Sequence, residues 1–197
     1  MNHKIIYTIL LFICSSVLAQ KAKGYPYSEI KIYKVVENVN KYQDSLIYVG
    51  ETRNEVTSAL GQPDHISRND GDDGDELSYS GGLGLTYTDG YPTYPYDDLF
   101  IVPNRTGSTN PYVLSKRFKL GIGRPLPVDL LDNYNYRVYT DKSDIPLTPE
   151  EETALPKGTW RQYVWNLMSA NGELSDYFLA IDVKDGKIIK IYKGASL

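Results

Sequence analysis

The sequence predicts an α+β fold: an antiparallel sheet with short helices on one face, built from two tandem helix-plus-strands units. Three observations predict it. Apolar residues alternate at period two through most of the chain, as in Trp160 to Leu167 and Tyr177 to Val183. Only two segments read as helices, and both are short. The connections between strand candidates are turns such as Gly81-Gly82 and Asp185-Gly186, too brief for βαβ crossovers.

The chain opens Met1-Asn2-His3-Lys4, a basic start, followed by an apolar run from Ile5 to Ile13. Val17 and Ala19 occupy the −3 and −1 positions of a small-residue cleavage site. Residues 1–19 therefore read as a signal peptide cut after Ala19, which sends the protein to the periplasm or out of the cell. The apolar run is shorter than the roughly 20 residues that span a bilayer, which disfavours an uncleaved anchor. Lipoprotein cleavage before Cys14 is disfavoured by Ile13, where a small residue belongs. Cleavage leaves 178 residues and removes Cys14, the single cysteine of the 197-residue chain. A chain of that length buries about 70% of its unfolded surface, so it can fold without disulfides. Without Lys4, 20 basic and 25 acidic side chains remain, a net charge of −5. Those charges are interspersed, and nucleic acid and anionic lipid are poor partners for them.

In the first unit, residues 20–118, Glu29 to Val36 reads as a strand for its alternation and β-branched content, with a helix continuing through Val39 and Tyr42 as the rival, and Ser45 to Val49 is a second apolar run. Thr52 and Glu55 form a T-x-x-E capping box. Val56, Ala59 and Leu60 then fall on one helical face, and Gly61 and Pro63 end the helix. Strand candidates follow at Asp64 to Ser67, Leu77 to Ser80, Leu83 to Thr88, Leu99 to Val102 and Tyr112 to Leu120. The second unit, residues 119–197, repeats the order. A Pro-started helix lies near Leu126 to Leu131, then strands at Tyr136 to Tyr139, Trp160 to Leu167, Tyr177 to Val183 and Ile188 to Tyr192. Thr140 to Gly158, with three prolines, reads as a polar loop. Asp185-Gly186 suits a type I′ hairpin turn.

The stretch Gly50 to Pro63, with its capped helix and Leu60-Gly61-Gln62-Pro63 ending, resembles the signature of small bacterial envelope domains. These are the outer-membrane barrel-assembly lipoprotein family and the β-lactamase-inhibitor-protein family. The resemblance implies a sheet covered by helices on one side and, for the inhibitor family, two such units in one continuous sheet. The second unit lacks both the T-x-x-E box and the Leu-Gly-x-Pro ending at its helix, and no inhibitory residue can be matched.

Catalytic patterns are sparse. His65 is the single histidine after cleavage, with no nucleophile motif around it. With one His and no Cys, a transition-metal site has too few ligands, and no cofactor is expected. The acidic turn Asp70, Asp72, Asp73, Asp75 and Glu76 could attract Ca²⁺ but misses EF-hand spacing, because Gly74 and Asp75 fall at the fifth and sixth positions. Gly81-Gly82-Leu83-Gly84 lacks the lysine of a phosphate loop and reads as a bend in the sheet. Asp97 and Asp98 are sequence neighbours, so on a strand they would diverge to opposite faces.

The unusual feature is tyrosine: 17 remain after cleavage, and Tyr87, Tyr91, Tyr94 and Tyr96 lie in or beside one Pro-rich loop. Rigid amphipathic rings suit recognition surfaces. A loop folded back on its own sheet would use the same residues. Trp160, Tyr163 and Trp165 read as core packing. The expectation is a non-catalytic envelope protein that binds another protein, inhibitor-, immunity- or scaffold-like, with Tyr87, Tyr91, Tyr94, Tyr96, Asp97 and Asp98 as candidate contacts. Glycan or cell-wall binding by the same loop is the alternative.

Overall fold

A computed structural model of the chain describes residues 22–36, 45–68, 74–88, 95–104, 106–107 and 109–195. Residues 1–19, read above as a signal peptide, Asp70, Asp72 and Asp73 of the acidic turn, and Tyr91 and Tyr94 lie outside the described residues.

Among the described residues the chain forms twelve strands, three short α-helices and one 3-10 turn at Tyr27–Glu29. The strands are β1 (Tyr25–Pro26), β2 (Ile32–Val36), β3 (Ser45–Tyr48), β4 (His65–Arg68), β5 (Asp75–Tyr79), β6 (Leu83–Tyr87), β7 (Asp98–Ile101), β8 (Tyr112–Leu114), β9 (Arg137–Tyr139), β10 (Arg161–Met168), β11 (Leu174–Lys184) and β12 (Lys187–Ala195). The helices are α1 (Arg53–Leu60), α2 (Val128–Asn133) and α3 (Pro149–Ala154).

Nine strands make one long sheet in the order β4-β5-β6-β7-β12-β11-β10, and β1 and β9 both pair with β10. The class is α+β and rich in strands, as expected, but two features differ from the expected antiparallel sheet. The sheet is mixed, because β1 runs parallel to β10 at Leu167 and Met168. Also, β2, β3 and β8 leave the long sheet and form a three-stranded sheet of their own. Period-two alternation sets which face a residue takes and carries no information about partner strand or direction, so neither feature was legible.

Local chemistry accounts for the elements. In α1 the Thr52 hydroxyl accepts from the Glu55 amide, and Glu55 accepts from the Thr52 amide at 3.1 Å. Gly61, at φ 87°, ends the helix in a conformation that disfavours a Cβ. Residues 140–158 are not all loop: Thr148 and Glu151 form a second capping box, and Pro149 starts α3. The signal T-P-E-E was present in the sequence and was masked by the neighbouring prolines. Asp185 and Gly186, at φ 52° and 73°, make the tight β11–β12 hairpin that their types predict.

The core lies against one face of the long sheet. One row crosses six strands in register: Leu77, Leu85, Leu99, Lys193, Leu179 and Trp165. All six side chains are fully buried. Ile30, Ile32, Val49 and Leu114 from the three-stranded region, with Val56 of α1 and Leu130 of α2, complete the same cluster. Helix α1 is tied to this face by the Arg53–Asp75 ion pair at 2.8 Å, and α3 by the Tyr163 hydroxyl donating to Glu152 at 3.1 Å. No described helix is long and apolar enough to cross a membrane.

Candidate functional site

Lysine 193 is the anomaly of the core row, a cation between Leu99 and Leu179 with no exposed surface. Its ammonium donates to the Tyr96 carbonyl at 3.2 Å and to the Asp97 carbonyl. It also lies 4.3 Å from the ring centre of Tyr177, 5.3 Å from Tyr96 and 5.5 Å from Tyr27. Backbone oxygens and electron-rich ring faces thus replace its water shell. Burial still lowers its pKa to about 8, against the opposing pull of Asp98, Asp97 and Glu51.

Of the predicted residues that are described, Tyr96 and Asp97 lie against this ammonium, and Tyr87 packs on Tyr96. Tyr87 is buried on β6, and its hydroxyl donates to the Glu51 carbonyl at 3.5 Å. Tyr96 is buried as well, donating to the Ile30 carbonyl at 3.4 Å, and the two rings meet edge to face at 6.5 Å. Burial pushes both phenols well above the usual tyrosine range. These two rings therefore anchor the segment to the core and do not stand free on the surface. Asp97 and Asp98 diverge, as neighbours should. Asp97 accepts from the Thr88 amide at 2.6 Å, while Asp98 accepts from the Tyr192 hydroxyl at 3.4 Å. Burial raises the Asp98 pKa, an effect that Lys193 opposes. A cavity of about 300 Å³ lies here, lined by Tyr27, Tyr87, Thr88, Pro95, Tyr96, Asp97 and Tyr177. Tyr27, Tyr177 and Lys193 were not singled out in the sequence. Lys193 carried a signal in its period-two relation to Ile191. The bulge that lets both Ile188 and Ile191 face inward hid that phase.

A second surface is the other face of the long sheet: the three helices pack on the core side through Val56, Leu130 and the Glu152–Tyr163 hydrogen bond, and on this face Gly84, Ala180 and Val164 are buried between half-exposed aromatic rings. In register across it run Gly84, Phe100, Tyr192, Ala180, Val164 and Arg137. The Phe178 ring meets Tyr192 at 5.5 Å, and Phe100, Phe178 and Tyr192 are all half-exposed. Gly84 makes room for Phe100: a Cβ there would sit 2.0 Å from its ring. Beside this row a shallow groove of about 510 Å³ is bordered by Arg137, Tyr139, Gln162, Val164, Asn166 and Phe178. Asp182 closes the row below, accepting from Gln162 at 2.8 Å, with its pKa raised by burial. The run Phe178-Leu179-Ala180-Ile181 is apolar on both faces, so sequence periodicity could not separate this face from the core.

Other candidates stand apart from these surfaces. His65 is exposed on the edge strand β4. Asp75 pairs with Arg53 at 2.8 Å and with Arg68 at 3.6 Å, and among the described residues no group of three or more His, Cys, Asp or Glu could hold a metal ion. Gly81 and Gly82, at φ 94° and 87°, form the β5–β6 turn. Trp165 stacks on Tyr163 at 6.1 Å, within the core.

Compared with known proteins, the chain matches no family model, no curated protein and no solved structure.

Proposed function

We propose that the chain is an exported, non-catalytic protein of the bacterial envelope that binds another protein through the open face of its long sheet. The observation that carries this reading is the half-exposed aromatic set Phe100, Phe178 and Tyr192 on the sheet face opposite the helices, flanked by Arg137 and Asn166. Aromatic centres with a polar surround are typical of protein interfaces. The topology also favours the tandem reading of residues 20–118 and 119–197. Strand β7 of the first half and β12 of the second pair with each other near the middle of the sheet. Such joining makes one long face from two short ones, as in the inhibitor-like arrangement that the capped α1 segment resembles.

The test is affinity capture from envelope extract with residues 20–197, beside a bait carrying Phe100→Ser, Phe178→Ser and Tyr192→Ser with an unchanged thermal melt. One protein held by the first bait and lost by the second is the expected result. Equal recovery by both baits contradicts the reading. Retention of polysaccharide or peptidoglycan in place of a protein would move the function to glycan binding.

A further inference from the structure

The cavity beside Lys193 is lined by groups that attract positive charge, tyrosine rings and a carboxylate. Three of the rings around it, Tyr27, Tyr96 and Tyr177, already hold one ammonium by their faces at 4.3 to 5.5 Å. The same three rings line the cavity, with Tyr87 and the Asp97 carboxylate. Lys193 spends its protons on the Tyr96 and Asp97 carbonyls and so does not ion-pair with a carboxylate. Three carboxylates, Asp98, Asp97 and Glu51, act on that one cation. Among the described residues the ion pairs involve only Asp75, so none of these three is neutralised by a salt bridge. Lys193 would repel a second cation, and the tyrosine rings and the Asp97 carboxylate of the lining oppose that repulsion. Asp97 and Tyr177 are half-exposed, and Thr88 and Pro95 at the rim are exposed, so the cavity opens to solvent. Its volume of about 300 Å³ is at the lower limit for a small-molecule pocket, and it suits a single long side chain.

We propose that the cavity between Tyr27, Tyr87, Tyr96 and Tyr177 receives a cationic side chain, arginine or lysine, of the protein partner. The proposal rests on the protein-binding reading and adds the residue type the partner must offer. The guanidinium or ammonium group faces the tyrosine rings and the Asp97 carboxylate, a combination that strengthens as water leaves the cavity. Long charged side chains bury their methylene stems against such rings.

The test uses small probes on residues 20–197 and so does not need the partner. N-acetyl-arginine amide is titrated while backbone amide shifts of Thr88, Asp97 and Tyr177 are followed by NMR, with N-acetyl-glutamine amide as the neutral control. The expected result is saturable, millimolar binding of the arginine probe, with no response to glutamine, and weakening as salt is raised. Asp97→Asn keeps an oxygen for the Thr88 amide and is expected to weaken the probe about fivefold, the size of a modest ion-pair contribution. Glu150→Gln, on the exposed α3, is expected to change nothing. An equal response to glutamine, no response to arginine, or indifference to Asp97→Asn overturns the proposal. If the open-face variants still abolish capture while the arginine probe fails to bind, the protein-binding reading stands and this inference falls.

Discussion

Lys193 sits where the fold offers a leucine site, and its chemistry sets a pH signature. In the folded chain its pKa is lowered to about 8, from 10.5 when solvated. Between those values the unfolded chain holds a proton that the folded chain has released, so stability rises with pH across that window. Tyr27 and Tyr112 are raised to about 12, from 10.0, by burial. As pH nears 10 the unfolded chain loses phenolic protons that the folded chain keeps, and stability falls. Because many other tyrosines are raised as well, the melting temperature is expected to climb by a few degrees from pH 7 to about pH 9 and to decline beyond it. Lys193→Met removes the climb and leaves the decline, as thermal melts over that range can show. A second residue-scale expectation concerns the β5–β6 turn. A Cβ on Gly82 would meet the Val102 carbonyl oxygen at 2.1 Å at a left-handed φ, whereas one on Gly61 meets nothing within 4 Å. Gly82→Ala should cost about 2–3 kcal/mol, from clash plus backbone strain, and Gly61→Ala about 1 kcal/mol. Equal losses in urea titrations would contradict this.

At the scale of elements, the two capping boxes have the same chemistry and different consequences. Helix α1 places Val56 in the core and is bound to β5 through Arg53 and Asp75. Helix α3 buries no residue and is held by Glu152 accepting from Tyr163. Thr52→Ala should therefore lower global stability by about 1 kcal/mol. Thr148→Ala should free α3 locally, raising amide exchange over Glu150 to Ala154 with little global change, because a weakly docked element opens below the global barrier. The contrast explains what was readable. T-x-x-E at Thr52 precedes apolar residues at helical spacing, so the element declares itself. The box at Thr148 precedes Glu150, Glu151 and Glu152, with no apolar stripe to mark a helix. Asp185-Gly186 was readable because its turn type depends on those two residues alone. The departure of β2, β3 and β8 into a second sheet was not, since it is decided by strand partners distant in sequence.

For the whole molecule, the long sheet divides the chain into a sealed side and an open side. The sealed side carries Trp165, Leu179, Lys193, Leu99 and the helices, and the open side carries Phe100, Phe178 and Tyr192. Tyrosine abundance drew attention to Tyr87, Tyr96 and Asp97, which line one cavity. It did not reveal that Tyr87 and Tyr96 are interior, because a ring that packs and a ring that recognises have the same composition. The open face escaped the sequence for a related reason: its apolar residues merge with the core residues between them.

The most direct test of the open-face reading places a photo-cross-linking amino acid at Phe178 and, separately, at the exposed Ser58 of α1, in the full 197-residue chain expressed in bacteria. The account predicts one cross-linked envelope protein from position 178 and none from position 58. Cross-links from 58 alone, or the same products from both, would contradict a binding surface on the open face.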